Sequence, residues 1–315
     1  MTLRTELDRY LHLRRMFGAK LKSDELRLRS FVTFMDQAGK TFVTRELIVE
    51  WMNGLRHASS GTKASRFSEV RQFALWLRGM DDRHEDPPPR GFVPSHVTRP
   101  APYIYSDAEI AAIIRAARDL PSIFGMRGLT CAILYGLVAV TGLRIAEALA
   151  LDTADFDVER QMLHIRNGKN GKERILPIDP DVAVRLAQYC IERDRLLERR
   201  SEPLFVNCKG ERPNYCWARA NFVRVCQSIG LRGTWTRPLT GSSPRIHDLR
   251  HTFAVRTIIK WYREGNDAAR EMHKLTTYLG HEGPRDTYWY LQAVPELLEL
   301  ASARVSSGLA SEESQ

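Results

Sequence analysis

The sequence LTCAILYGLVAVTGLRIAEALAL, residues 129–151, decides the fold class of the larger part of the chain. Its first part, Leu129 to Leu143, is the longest apolar run in the chain, and it contains two Thr and two Gly. A membrane-spanning helix needs about 20 apolar residues, so this run is too short to cross a membrane. We therefore expect a helix buried in a globular core. Gly142-Leu143 then forms a turn, and Arg144 to Leu151 is expected to be a second helix.

Downstream of this run, the pattern changes to a short β-hairpin and then to further helices. Met162 to Arg166 and Glu173 to Ile178 have the composition of strands, and NGKNGK at 167–172 is a Gly/Asn turn typical of a hairpin. Helices are expected at 181–199, 214–229, 248–263 and 267–279, with a last short helix at 295–303. The chain is therefore predicted to be mainly α with a small antiparallel β-sheet, the α+β class.

Upstream of the run, a proline-rich stretch separates off a smaller helical region. Ser106-Asp107-Ala108-Glu109 is a capping box that precedes an amphipathic helix. Residues 86–102 hold six prolines, which lack an amide donor and restrict the residue before them, so an extended linker is expected. Before the linker, apolar residues recur near helical spacing at 21–35, 46–55 and 65–77. We predict a helical domain at 1–85, a linker at 86–105, a second domain at 106–303 and a disordered tail at 304–315.

Composition favours a protein that acts on a polyanion. The 315 residues include 47 Lys and Arg against 38 Asp and Glu, a net charge of +9 that is spread over both predicted domains. Such a surplus raises the expectation of a nucleic-acid partner. The five cysteines contain no Cys-x-x-Cys pair, which argues against a disulfide framework and a Cys-only zinc site. Charged residues run through the first residues of the chain, so we expect no signal peptide and a cytoplasmic, DNA-associated protein.

Four segments carry side chains suited to chemistry. They are TGLRIAE at 141–147, GKNGKER at 168–174, HDLRHTF at 247–253, and LGH at 279–281 followed by TYWY at 287–290. In order and content they resemble the tyrosine recombinase, or phage integrase, family from Ser106 to Leu291. The N-terminal helices and the proline linker are similar to that family's core-binding domain and hinge. The resemblance implies an integrase-type catalytic domain that cleaves and rejoins DNA without a metal or cofactor.

Two arginines suit the phosphate of such a reaction. Breaking DNA without a metal needs a nucleophile, positive charge on the non-bridging oxygens and a proton for the leaving 5′-oxygen. Arg144 and Arg250 are the candidates for the oxygens, because a guanidinium stays charged and binds phosphate bidentately. Arg144 also follows a turn that opens a helix, where main-chain amides favour an anion. In the alternative interpretation, Arg144 pairs with Glu147 three residues later.

Three histidines accompany these arginines. His247 and Arg250 are spaced i, i+3, which places them on one helix face, and His247 is suited to take a proton or to donate to the phosphate. His281 follows Gly280, where a helix is expected to end. Either could instead be an ordinary core or surface histidine. His251 forms with His247 an H-x-x-x-H pair of a kind that binds zinc, but no third ligand is evident, so we expect no metal site.

The resemblance assigns the general acid to the hairpin. The family pattern of Gly-Lys followed by Lys-Glu-Arg fits Gly168-Lys169 and 172–174, which makes Lys169 the residue that protonates the leaving oxygen. A lysine on a mobile turn suits this role because its ammonium is a compact donor on a flexible stem. Lys172 is the competing candidate, and an ordinary solvated turn is the alternative.

The resemblance also selects the nucleophile. The family places a tyrosine nine residues after the glycine-linked histidine and three after a threonine, and both counts give Tyr290 rather than Tyr288. Without the resemblance, residues 288–290 are an aromatic core patch. The sequence departs from the commoner pattern at Pro284 and Arg285, and at Leu291 after the tyrosine.

Together these residues imply a site-specific recombinase, an integrase or a transposon-type enzyme, that works through a 3′-phosphotyrosyl intermediate. Tyr290 attacks, Lys169 protonates the 5′-oxygen, and His247 is favoured as the base. Arg144, Arg250 and His281 stabilise the charge on phosphorus. The expected partner is double-stranded DNA bound by a homotetramer, linked through C-terminal segments such as 295–303 and open to accessory proteins. The alternatives are a DNA-binding relative without catalysis, a type IB topoisomerase-like enzyme and a metal-dependent nuclease.

Overall fold

In the computed structural model the chain forms two compact units, an N-terminal unit of residues 1–99 and a C-terminal unit of residues 100–315. The structure describes residues 2–19, 21–94, 101–166, 173–233, 243–280, 283, 287–290, 297 and 299. Helices predominate in both units, and the C-terminal unit adds a three-stranded antiparallel sheet. The predicted fold class is therefore confirmed. Among the described helices, none combines the length and the apolar character that crossing a membrane requires.

The N-terminal unit packs its helices around one apolar core. These helices are α1 Leu3–Met16, α2 Lys22–Gln37, α3 Arg45–Gly54 and α4 Ser60–Met80. Side-chain oxygens of Thr2, Thr44 and Ser59 cap α1, α3 and α4 by accepting from main-chain amides of the first turn. Phe31 and Phe73 are fully buried at the centre. Part of the predicted linker packs on this unit, since the Arg71 side chain donates to the Pro88 carbonyl at 2.9 Å.

The C-terminal unit contains the following elements. They are α5 Asp107–Arg118, α6 Met126–Thr141, α7 Ile145–Ala150, β1 Phe156–Asp157, β2 Met162–Ile165, β3 Arg174–Pro177, α8 Pro180–Leu197, α9 Tyr215–Ser228, α10 Ile246–Arg263 and α11 Ala268–Leu279. Residues 287–290 are also helical. Ser106 and Glu109 form the predicted capping box at the start of α5. The predicted hairpin turn at 167–172, the tail at 304–315 and most of the expected helix at 295–303 lie outside the described residues.

Helix α6 is the centre of the C-terminal unit, as the apolar run predicts. Twelve of its residues are buried, and α5, α8, α9 and α10 pack around it. Gly128 lets α5 approach closely, because a Cβ at this position would lie 2.2 Å from the Arg118 carbonyl oxygen. Such all-round burial is typical of a core helix.

The small sheet has the strand order β1-β2-β3 with antiparallel pairing throughout. Leu163 pairs with Leu176, and Ile165 pairs with Arg174. Directly opposed residues share one face of a sheet, so Arg174 lies on the same face as the buried side chains of Ile165 and Leu176. The register thus directs an arginine inward, towards α7.

Candidate active site

The described candidate residues come together in the C-terminal unit, at the ends of α6, α10 and α11. Arg250 donates from Nη1 to the Gly142 carbonyl at 2.7 Å and from Nη2 to the Leu279 carbonyl at 2.8 Å. Arg144 donates from Nη2 to the carbonyl of the next residue, Gly280, at 2.8 Å. The two guanidiniums are therefore held side by side on consecutive carbonyls. Lys169 and His281 lie outside the described residues, so their roles stay predictions.

The turn at Gly142 determines where Arg144 sits. Gly142 ends α6 with φ of +63°, a left-handed conformation that glycine adopts without strain. A Cβ at this position would lie 2.5 Å from the Phe253 ring and 2.9 Å from the Leu279 side chain, so any other residue would also force these neighbours to shift. The turn places Arg144 at the N-cap of α7, where its main-chain amide donates to a Glu147 carboxylate oxygen at 3.0 Å.

Glu147 is a buried carboxylate shared by two arginines. Arg144 reaches its Oε1 at 2.8 Å, and Arg174 engages both oxygens at 2.9 and 3.2 Å. Burial raises the pKa of Glu147, but hydrogen bonds and charge from Arg174 and Arg144 outweigh burial and hold the pKa below its usual value. The pairing of Arg144 with Glu147, weighed above as an alternative, is thus present. In addition to this pairing, Nη2 of Arg144 donates a hydrogen bond to the Gly280 carbonyl.

Arg250 is a cation buried almost completely, with 1% of its surface exposed. Burial lowers its pKa to about 10, with Arg144 acting in the same direction, and the ionisable phenol of Tyr290 opposes the shift. The guanidinium therefore stays charged at neutral pH. A buried cation that donates to two carbonyls is fixed in orientation and favours an incoming anion.

Arg174 is a site residue that the sequence analysis missed as a functional candidate. Its Nε donates to the Tyr278 carbonyl at 3.0 Å, and its side chain is 14% exposed. Gly280, with φ of +66°, accommodates it, because a Cβ there would lie 2.9 Å from Nη1 of Arg174. The available signal was its place in the Lys-Glu-Arg pattern, which was used only to align Lys169.

The tyrosine segment meets α10 through a second histidine. His251 Nδ1 lies 2.8 Å from the hydroxyl oxygen of Tyr290, a hydrogen-bond distance, and the rings of His251 and His247 are 4.6 Å apart between centroids. Tyr290 is 1% exposed, whereas Tyr288 is 40% exposed. In the sequence, His251 suggested only a zinc-binding pair with His247. Its place directly after Arg250 and one helical turn from His247 was the signal for a role in the site.

The assembled groups are suited to displacement at an anionic centre. Two guanidiniums pair with one buried carboxylate, and a third donates to carbonyls next to them. The phenol lies within hydrogen-bond distance of the His251 imidazole, whose ring contacts that of His247. Cations of this kind stabilise charge that develops on phosphoryl oxygens, and a phenol with an adjacent base is an activated nucleophile. Among the residues that the structure describes, no cluster of three His, Cys, Asp or Glu side chains is arranged to hold a metal ion.

Comparison with known proteins identifies a family whose profile covers the site. The sequence profile of the phage integrase family matches residues 106–296, which span every candidate residue of the site. The chain belongs to the phage integrase family, the tyrosine recombinases. It is therefore a DNA strand transferase by membership of this family.

A curated relative and two solved structures are similar to this chain over most of its length. A candidate integrase/recombinase of Sinorhizobium fredii, y4rB, is 34% identical over 96% of this chain and 97% of its own length. The Tn1549 transposon integrase, solved in complex with transposon right end DNA, has a TM-score of 0.66 at 16% identity and covers 98% of this chain and 99% of its own. A lambda integrase tetramer bound to a Holliday junction has a TM-score of 0.62 at 17% identity, covering 90% and 78%. At these identities the two structures support the fold.

Proposed function

We propose that this tyrosine recombinase catalyses site-specific DNA recombination with Tyr290 as its nucleophile. The observation that carries the assignment is the position of the Tyr290 hydroxyl, 2.8 Å from the His251 imidazole on α10 and close enough to Arg250 for the two groups to interact electrostatically. Tyr288, the competing tyrosine, is exposed. The alternative of a relative without catalysis is disfavoured because the described candidate residues are assembled in one place.

The reaction is two phosphoryl transfers that conserve the bond energy. The phenol oxygen of Tyr290 forms a bond to phosphorus, the bond to the 5′-oxygen breaks, and that oxygen takes a proton from Lys169. The phenol proton passes to an imidazole, and Arg144, Arg250 and His281 stabilise the charge on the phosphoryl oxygens. A 5′-hydroxyl of a second strand then attacks the phosphotyrosine and releases Tyr290. ATP is not required, since the covalent intermediate retains the phosphodiester energy.

The partner that we propose is double-stranded DNA in the cytoplasm. Both units of the chain are net basic, and contacts with phosphates give affinity that falls with salt. Lambda integrase is seen as a tetramer on a Holliday junction, and we propose that four copies of this chain likewise act on paired sites. The predicted division into a DNA-binding domain at 1–85 and a catalytic domain at 106–303 belongs to the same proposal.

The test traps the covalent intermediate. Nicked duplexes that tile the DNA on both sides of the gene are incubated with protein in EDTA, and the adduct is scored by gel shift under denaturing conditions. Wild type and Tyr288→Phe are expected to form the adduct, and Tyr290→Phe is expected to form none. An adduct that persists in Tyr290→Phe and vanishes in Tyr288→Phe would overturn the assignment.

Two further assays separate the alternatives. Cleavage that EDTA abolishes would identify a metal-dependent nuclease instead. Exchange between two duplexes is expected from a recombinase, whereas relaxation of supercoiled plasmid without exchange would indicate a topoisomerase.

A further inference from the structure

The contact between His251 and Tyr290 points to a further catalytic residue, and the inference rests on the proposed function. His251 Nδ1 lies 2.8 Å from the phenol oxygen, and both side chains are buried, with 4% and 1% of their surfaces exposed. The reacting atom of the nucleophile is therefore in direct contact with an imidazole nitrogen.

A buried phenol needs such a partner in order to attack. An ordinary tyrosine, with a pKa near 10, is ionised in about one molecule in a thousand at pH 7. Burial disfavours the phenolate further. An imidazole within hydrogen-bond reach removes this obstacle, because the proton leaves as the oxygen attacks.

We propose that His251 accepts the proton of Tyr290 during strand cleavage. The ring is then neutral beforehand, with its hydrogen on Nε2. As the phenol oxygen forms its bond to phosphorus, the O–H bond breaks and Nδ1 takes the proton, giving an imidazolium. The 5′-oxygen leaves with the proton of Lys169, so each proton is accounted for. In rejoining, the imidazolium returns its proton to the departing phenol oxygen.

Helix α10 holds His251 rigidly for this role. The next residue, Thr252, donates to the Asp248 carbonyl at 2.9 Å and accepts from the Tyr105 main-chain amide at 3.0 Å. The rings of His247 and Trp289 lie 4.6 and 5.8 Å from that of His251. These contacts surround the ring whose Nδ1 lies within hydrogen-bond distance of Tyr290.

The assignment changes the role of His247. The sequence favoured His247 as the base, but the imidazole nitrogen within hydrogen-bond distance of the Tyr290 phenol oxygen belongs to His251. His247 precedes Arg250 by one helical turn on the same face. It is therefore assigned to the second task considered from the sequence, donation to a phosphate oxygen.

The test measures single-turnover cleavage of a nicked duplex at saturating DNA. His251→Phe keeps a ring in the aromatic contacts but has no nitrogen, and His251→Asn keeps a polar atom near the Nδ1 position that cannot take up a proton at neutral pH. Both are expected to cleave at least roughly 100-fold more slowly than wild type. The exposed His273→Phe on α11 is the matched control and should cleave at the wild-type rate.

A sulfur-bridged substrate shows on which side of the reaction His251 acts. When the bridging 5′-oxygen is replaced by sulfur, the leaving thiolate needs no proton, so Lys169→Ala should recover most of its rate. The His251 variants should stay slow, because their defect is at the nucleophile. The ratio of the two substrate rates within each variant is insensitive to a loss of folded protein, so the comparison holds for a destabilised variant.

Three outcomes would overturn the inference. They are a His251→Phe rate within threefold of wild type, a wild-type rate in His251→Asn, and recovery of either variant on the sulfur substrate. Failure of the proposed function looks different, because then wild type itself would form no adduct on any duplex.

Discussion

Replacing Gly142 with alanine tests the turn that joins the core of the C-terminal unit to its site. Gly142 has a φ of +63°, and an added Cβ would lie 2.5 Å from Phe253 and 2.9 Å from Leu279. Its carbonyl accepts the 2.7 Å hydrogen bond from Arg250. The substitution therefore strains the backbone and crowds Phe253 and Leu279. It also disturbs the carbonyl that accepts the hydrogen bond from the buried Arg250 guanidinium.

The expected loss follows from two contributions. A left-handed conformation costs a non-glycine residue about 1–2 kcal/mol, and overpacking costs about 1–3 kcal/mol. The sum is about 2–5 kcal/mol, which for a unit of this size corresponds to a fall in Tm of roughly 4–20 °C. Cleavage should slow by roughly 10- to 100-fold, because small misplacements of catalytic groups carry penalties of that size.

The assay is thermal unfolding of the full chain by calorimetry, together with adduct formation on the nicked duplex. Gly136→Ala is the matched control on the same helix. A Cβ at Gly136 meets Ile114 at 3.6 Å, an ordinary contact, and alanine is favoured over glycine inside a helix by about 0.5–1 kcal/mol. The control should therefore raise Tm by about 1–3 °C.

Gly142→Ala is expected to lower Tm and Gly136→Ala to raise it, so the two variants together give a clear test. If Gly142→Ala unfolds within about 1 °C of wild type, which for a unit of this size is under about 0.5 kcal/mol, then neither the strain nor the crowding described here is real. If Gly136→Ala loses as much stability as Gly142→Ala, then an added methyl group destabilises α6 at either position. The special role of the Gly142 turn would then be refuted.

The remaining predictions concern the buried interactions around the site. Glu147→Gln should lower the free energy of unfolding at pH 7 by about 3–5 kcal/mol, because it leaves the buried charges of Arg144 and Arg174 without their carboxylate partner. The folded pKa of Glu147 is below its usual 4.5, so its stabilisation is present at neutral pH and is lost as the pH falls through the folded pKa. Urea midpoints of wild type and Glu147→Gln should therefore converge between pH 7 and pH 3, and a constant gap would contradict the sign. Thr252→Val should cost about 1–3 kcal/mol by leaving the buried Tyr105 amide without its acceptor, whereas Thr257→Val, whose hydroxyl donates to a carbonyl of its own helix, should cost less. Gly128→Ala should cost at least about 1–3 kcal/mol, because its Cβ would meet a backbone oxygen at 2.2 Å, and a neutral result by thermal unfolding would refute the close approach of α5.

Elements with a strong local pattern could be predicted from the sequence. Helix α6 follows from its apolar run, and α5 from its capping box. Helix α1 was missed individually, because charged residues surround the buried stripe of Leu3, Leu7, Tyr10 and Leu11. Strand β1 was missed since it is two residues long and exists through its pairing with β2.

The sequence motifs selected candidate residues that the structure places near one another, but they did not predict the contacts between those residues. The motifs selected Arg144, Arg250 and Tyr290, and these three residues come together in the structure. The partners of these residues depend on tertiary packing, which spacing along the chain does not encode. His251 and Tyr290 are 39 positions apart and meet because the 287–290 turn packs against α10. The catalytic roles of all six candidate residues, Arg144, Lys169, His247, Arg250, His281 and Tyr290, remain predictions.

The charge balance of the site explains why its geometry suits a phosphodiester. Glu147 pairs with Arg144 and Arg174, whereas Arg250 donates to the carbonyls of Gly142 and Leu279, which orient the guanidinium without neutralising it. Three cations and one carboxylate leave net positive charge in a region where burial has already lowered the pKa of Arg250. In the reaction that we propose, an entering phosphate compensates this charge, and the charge that builds up in the transition state compensates it further. The proposed role of these arginines thus depends on an excess of positive charge that the fold maintains and that a bound phosphate relieves.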